Sequence, residues 1–286
     1  MVRKQLQGMI FVAPALLFLL AFGIFPIIYS AHLSLYRVEL LGRTWVGLEN
    51  YKTILGPGPF WDAIRTSTKY LCGFLFLNLL LSYSIALGLY GWGPRIVTTF
   101  QTFYYVPVLL SPIVTIAAWR WFYRYEGGGL NRILAMFSLP PVMWLGSPLT
   151  AVWAISFMIF ASAFGAAVLL YSASLGQLNT ELLDAARIDG ANGLQVVWHI
   201  MTPLTQPMRL YLTILSVLGA VQIWERIYFF TGGGPIGSTR SVTFEIFHTA
   251  FNVKKFGVAS SMTTVAILVT LAFAWLIMRK LRLQVG

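Results

Sequence analysis

The side chains best suited to chemistry are few and far apart in this chain. Three histidines (His32, His199 and His248) and one cysteine, Cys72, are the candidates for metal or nucleophilic work. The histidines form no HExxH or HxxxH grouping, and a single cysteine gives neither an intrachain disulfide nor a ligand cluster. No catalytic or metal-ligating residue is therefore expected. The segment Gly232 to Thr239, GGGPIGST, looks at first like a phosphate loop. Such a loop needs Gly-x4-Gly-Lys-Ser/Thr after a strand, and here Ser238 stands at the lysine position. The chain is expected to bind no cofactor of its own. What remains is a set of polar residues inside long apolar runs: Asn78, Ser156, Ser162, Ser216, Gln222, Trp224 and Glu225. Polar groups at such places mark either a pathway through a membrane or helix-to-helix packing.

The apolar runs that hold these residues dominate the composition. Of 286 residues, 58% are hydrophobic and 10% charged, against about 25% charged in soluble domains. A water-soluble fold of this size has too little polar surface to cover so much apolar surface. The net charge of +11 comes from Lys and Arg scattered singly between apolar runs. They read as headgroup anchors rather than as a basic stripe for nucleic acid, so the partner is a lipid bilayer. A bilayer core of about 30 Å needs about 20 apolar residues in helical form. Six segments qualify, about 9–30, 68–90, 100–123, 149–171, 208–230 and 258–278. The expected fold is all-α, a single polytopic membrane domain over 1–286. Arg3 and Lys4 precede the first run, but that run is too long for a signal peptide, and Tyr29-Ser30-Ala31 puts a bulky ring where a cleavage site wants a small residue. It is expected to stay as a membrane helix.

An even number of spans puts both termini on one side. Arg3, Lys4, Arg279, Lys280 and Arg282 favour the cytoplasm for that side. The majority of the 20 Lys and Arg residues nevertheless fall opposite, so charge alone divides. An ion-coupled secondary transporter would place ionisable pairs or broken helices near the midplane. A membrane enzyme would need clustered Asp, His or Ser. Neither pattern is evident.

The most informative polar interval is 176–207, GQLNTELLDAARIDGANGLQVVWHIMTPLTQP. Asn179 or Thr180 can cap a helix whose first turns carry Glu181 and Asp184, favourable at the positive end of its dipole. Glu181, Asp184, Ala185 and Ile188 then share one face. Gly190 stands where a glycine ends such a helix with a sharp turn. A second helical segment, Gly193 to Met201, precedes Pro203 and Pro207. The product is a short helix-turn-helix at the membrane surface with a compact knob of small residues.

This interval resembles the EAA motif of binding-protein-dependent ABC transporter permeases. Ala185, Ala186, Gly190, Ile200 and Pro203 stand in register, with the Asp189-Gly190-Ala191 typical of sugar-type members. Asp184 replaces the usual Glu, Val197 an aromatic residue and Thr202 a Leu. Trp45 to Tyr51 (WVGLENY), Phe60-Trp61 and Thr66 are similar to the external segment after helix 1 of sugar permeases. Thr231 to Pro235 (TGGGP) is similar to their external glycine loop.

The resemblance implies the type I ABC importer permease fold in a prokaryotic cytoplasmic (inner) membrane. Both termini and loop 176–207 would then be cytoplasmic. It also implies a coupling role for Glu181, Asp184, Ala185, Ala186, Asp189, Gly190, Ala191, Ile200 and Pro203, docked on a separate ATPase. The partners would be a second homologous permease, two copies of a cytoplasmic ABC ATPase carrying ATP and Mg, and an extracytoplasmic solute-binding protein. The implied cargo is a sugar or oligosaccharide, with glycerol-3-phosphate or another polar solute as the alternative. Ser216, Gln222, Trp224 and Asn78 are the candidate pathway residues. Amides and hydroxyls suit sugar hydroxyls, and an indole suits the apolar face of a sugar ring.

Overall fold

A computed structural model describes residues 12–39 and 42–285. Residues 9–11 of the expected first span, and Arg3 and Lys4, lie outside the described residues, as do the side chains of Arg279, Lys280 and Arg282. The chain divides into two units, Met1–Asp62 with Val242–Gly286, and Ala63–Ser241.

In the first unit, α1 (Val12–Leu33) is apolar throughout, and none of its most hydropathic window is buried. It widens into a π turn at Leu19–Ile24, just before Pro26. Proline has no N–H and its ring crowds the preceding turn's carbonyl, which favours such a register slip. A two-stranded hairpin follows, β1 (Tyr36–Glu39) against β2 (Gly42–Trp45), with Tyr36 paired to Trp45. Then comes α2 (Glu49–Leu55). Buried Asn50 donates through Nδ2 to the carbonyls of Ser34 (2.8 Å) and Tyr36 (2.9 Å), and the Tyr51 and Ser34 hydroxyls meet at 2.7 Å. These bonds fix the chain leaving α1. The helix α12 (Val242–Phe247) continues into a π turn, His248–Asn252. The last helix, α13 (Phe256–Val285), packs on α1, β1 and α2. Gly257 is required there: a Cβ would overlap the Tyr36 carbonyl and press on Asn50.

The second unit is built around α7 (Pro148–Gly176), 29 residues long, or about 43 Å at 1.5 Å per residue. It is apolar on every face, the mark of a helix buried among others. Ala151, Ile155, Met158, Val168, Tyr171 and Leu175 have no exposed surface. Against it pack α3 (Pro59–Leu89), α4 (Pro94–Leu109) and α10 (Gln206–Val221). Gly165 lets α4 approach closely, since a Cβ there would overlap the Tyr104 carbonyl. The remaining elements are α5 (Pro112–Phe122), α6 (Gly129–Met136), α8 (Thr180–Ile188), α9 (Gly193–Leu204) and α11 (Trp224–Phe230).

Among the described residues, four helices are long and apolar enough to cross a bilayer, or six if each of two bent pairs counts as one span. The expected span 100–123 is one such pair, α4 and α5, bent by 100°. Leu110 and Ser111 take extended backbone (ψ 140° and 141°), as the residue before Pro112 must when the ring excludes helical geometry. The expected span 208–230 is also interrupted. Gln222 (φ −92°, ψ 28°) and Ile223 (φ −91°, ψ 4°) part α10 from α11 with no proline between them. Each of these two expected spans is thus a pair of helices.

Candidate functional site

The hairpin α8–α9 is defined by local capping. Asn179 Oδ1 accepts from the Glu181 amide at 2.9 Å, which starts α8. At the other end Gly190 takes φ +88°, and its N–H donates to the Arg187 carbonyl at 3.1 Å while the Ala191 N–H reaches back to the Ala186 carbonyl at 2.9 Å. This pair of bonds is a Schellman cap, which closes a helix when a glycine can turn left-handed. A capping box then opens α9: the Asn192 N–H donates to Gln195 Oε1 (2.8 Å) and the Gln195 N–H to Asn192 Oδ1 (2.9 Å). Asn-x-x-Gln was there to be read as a helix start, and sequence reasoning passed over it.

The hairpin is seated on a hydrophobic cluster that reaches deep into the unit. Leu183 of α8 and Val196 and Met201 of α9 are buried with Tyr83, Ala86 and Leu89 of α3, Val168, Tyr171 and Leu175 of α7, and Leu212 of α10. Polar bonds secure the same seam, since the Tyr83 hydroxyl lies 3.1 Å from Thr202 Oγ1 and 3.3 Å from Thr205 Oγ1. Near Pro203, α9 relaxes into a π turn, Val197–Met201, and α10 then leaves at 66°.

The expected contact residues divide between two faces. Glu181, Asp184, Ala185, Asp189, Gly190 and Pro203 are exposed. Ala186, Ala191 and Ile200 are half-buried and pack against the buried cluster. Asp184 is paired with Arg187 at 3.0 Å, an exposed pair that screening keeps weak. Three large apolar residues stand in the open: Ile188 (86% exposed), which the spacing had placed on one face with Glu181, Asp184 and Ala185, and Leu194 (70%) and Trp198 (62%), which sequence reasoning did not single out. Leu194 and Trp198, four apart, share one face of α9.

Of the four candidate pathway residues, Asn78 and Ser216 meet, and Gln222 and Trp224 stand at the break between α10 and α11. Asn78 sits in a π turn of α3, Leu77–Leu81, a type of distortion frequent at functional positions. It is buried and donates to Ser216 Oγ of α10 at 3.4 Å, and Ser216 Oγ donates in turn to the Leu212 carbonyl at 2.7 Å. Asn78 and Ser216 thus join two helices. Ser156 and Ser162 donate to carbonyls of their own helix at 2.9 and 2.7 Å. Gln222 is different: it lies at the α10–α11 interruption with an exposed side chain, and Trp224 next to it is half-buried. Backbone near φ −90°, ψ 0° is sparsely populated and recurs at functional positions.

Two other features bear on the pathway. A groove of about 870 Å³ lies between Cys72, Phe76, Trp144, Trp153 and Phe157. Its lining is almost wholly apolar, which suits hydrocarbon and offers almost nothing to a sugar hydroxyl. The glycine loop after α11 is held by its own bonds: Thr239 Oγ1 meets the Gly234 carbonyl (2.8 Å) and Thr231 Oγ1 (2.9 Å). Thr66 and Tyr70 of α3 donate to the Ser238 and Thr239 carbonyls at 3.4 and 3.1 Å. Two segments singled out in the sequence, Thr66 and the glycine loop, thereby meet.

Known proteins show the same architecture. The chain is 30% identical to the probable ABC transporter permease protein YurN of Bacillus subtilis, over 97% of this chain and 96% of that one. It is 28% identical to the trehalose/maltose transport system permease protein MalF of Thermococcus litoralis, over 95% and 92% of the two chains. The lactose transport system permease protein LacF of Rhizobium radiobacter is 25% identical, over 95% and 93%. Among solved structures, a chain of the bacterial alginate ABC transporter, crystallised with an alginate pentasaccharide-bound periplasmic protein, superposes with a TM-score of 0.83 at 17% identity. That match covers 96% of this chain and 94% of that one, and it shows the type I ABC importer permease fold. Residues 78–283, which hold the capped hairpin and the interrupted helices, match the family described as binding-protein-dependent transport system inner membrane component, and the chain is a member of that family.

Proposed function

We propose that this permease imports a sugar or oligosaccharide handed over by an extracytoplasmic solute-binding protein. It would pair with a second, homologous permease and be driven by two copies of a cytoplasmic ABC ATPase. The observation that carries the reading is the hairpin of residues 180–204. It presents Ile188, Leu194 and Trp198 outward and is rooted through Leu183, Val196 and Met201 among α3, α7 and α10. A push on such a body is transmitted as a displacement of those helices, because close-packed interiors deform little. The hairpin then faces the cytoplasm, as do both termini. When the ATPase subunits close on ATP, they draw the hairpins of the two permeases together and open the pathway to the loaded binding protein. ATP binding can shift that equilibrium only by favouring one state over the other.

The carbohydrate assignment rests on the named relatives, which are permeases for trehalose/maltose and lactose, and on the chemistry of the interruption. Gln222 offers an amide to hydroxyls, and Trp224 an indole face to a sugar ring. The test is uptake into proteoliposomes holding both permeases and the ATPase. Transport of a labelled disaccharide panel should require ATP inside the assembly's ATPase face and binding protein on the other. Uptake driven by an ion gradient with no nucleotide would overturn the proposal.

A further inference from the structure

A polar pocket of about 410 Å³ in the first unit has no part in the transport reading. It is lined by Arg37 and Val38 of β1, Glu49, Asn50 and Thr53 of α2, and Lys254, Lys255, Gly257 and Val258 at the start of α13. Three cations and one carboxylate share this space. Arg37 Nη2 is engaged by Glu49 at 2.9 and 3.0 Å, which leaves the two lysines as the uncompensated charge among the described residues that line it.

The lysines are held in place by the backbone. Lys254 takes φ +60°, a left-handed conformation uncommon for a residue with a side chain. The Val253 and Lys255 amides pin the turn on each side, donating to the His248 and Thr249 carbonyls at 3.0 Å. Gly257 closes the floor, where a Cβ would overlap the Tyr36 carbonyl. Backbone held off its ordinary minima by its surroundings points to a role for the residues it carries.

The pocket's place in the fold indicates its ligand. Arg37 follows the end of α1 at Leu33 by four residues, and Lys254 and Lys255 directly precede the apolar helix that begins at Phe256. The pocket therefore lies where two candidate membrane helices end, at headgroup depth. Beside it runs α1, unburied and apolar along its length, with α13 packed on it. An amphiphile with a phosphate head and acyl tails matches that sequence of surfaces, whichever leaflet it belongs to. We infer that Arg37, Lys254 and Lys255 form a binding site for the phosphate of an anionic phospholipid, whose tails lie along α1 and α13.

Native mass spectrometry of the full chain in detergent tests this, with dioleoylphosphatidylglycerol as the probe and dioleoylphosphatidylcholine as the zwitterionic control. The variant is Lys254→Asn with Lys255→Gln, because asparagine accepts left-handed backbone and keeps the turn. Each basic residue near an anionic lipid contributes roughly a fivefold gain in affinity. The double variant should therefore bind phosphatidylglycerol about 25-fold more weakly. Lys52→Gln, on α2 outside the pocket, should bind as the parent does. Equal binding by parent and double variant would overturn the inference, as would equal retention of the zwitterionic lipid. Displacement by millimolar inorganic phosphate alone would assign the pocket to a soluble anion, and displacement by poly-glutamate to an acidic protein surface. Either result would also refute the lipid assignment.

Discussion

Gly190 is where the hairpin's geometry depends most on one residue. Its φ of +88° costs a residue with a Cβ about 1–2 kcal/mol, and nothing lies within 4 Å of a Cβ placed there. Substitution therefore acts through the backbone alone, without a steric clash. Opening of the Schellman cap exposes the Ala191 N–H, now bonded to the Ala186 carbonyl, so amide exchange at Ala191 counts the openings. Gly190→Ala and Gly190→Val should speed that exchange by roughly 5- to 30-fold, the factor that corresponds to about 1–2 kcal/mol. Gly190→Asn should stay within about threefold of the parent, since asparagine tolerates the left-handed region. Gly190→Pro cannot reach positive φ and also loses the bond to the Arg187 carbonyl, worth about 1 kcal/mol, so the cap should be lost. Hydrogen–deuterium exchange over residues 186–196 is the assay, with ATP-driven uptake per inserted permease measured on the same variants. Uptake should fall in the same order, with proline abolishing it and insertion unchanged. Equal exchange in the Asn and Val variants, or normal uptake by the Pro variant, would refute the reasoning.

Other expectations follow from burial and exposure. Leu183→Ala removes a buried anchor of the hairpin and should cost about 2–5 kcal/mol locally, read as faster exchange in α8 and α9 with little change in α13. Ile188→Asp and Trp198→Ala leave the fold intact, because both side chains are exposed. Each should weaken ATPase association by tenfold or more, about 1.4 kcal/mol or greater, if these residues are anchors of an interface; surface plasmon resonance with purified ATPase reads the loss. Gly165→Val forces α4 off α7 at the Tyr104 carbonyl. It should lower the thermal midpoint of the detergent-solubilised protein by several degrees, and an unchanged midpoint would count against that close approach.

Much of the hairpin was legible because caps are local. Asn179, Gly190 and Pro203 act within a turn of themselves, and their effects can be read without knowing the rest of the fold. Which face of the hairpin is buried was not legible. Leu182 and Leu183 are adjacent leucines, yet one is exposed and the other buried, a choice made by α3, α7 and α10 from far along the chain. Ala185 and Ala186 likewise divide, the first exposed and the second half-buried against the cluster. The bend at Ser111 is foreshadowed by Pro112, whereas the interruption at Gln222–Ile223 has no proline to announce it and arises from packing. Asn78 and Ser216 read equally well as pathway or as helix cement, and the 3.4 Å contact between them, made by α3 and α10 from far apart in the chain, was not legible.

The most direct measurement replaces Ala185, exposed on the outer face of α8, with cysteine in a Cys72→Ser background. A cysteine is then scanned across the surface of the copurifying ATPase, and oxidative crosslinking is followed with and without ATP. Rapid disulfide formation at one patch of the ATPase, together with protection of Ala185→Cys from membrane-impermeant maleimide added outside intact cells, is the predicted result. Labelling from outside, or no crosslink at any position, would contradict the hairpin's role as the contact through which ATP drives transport.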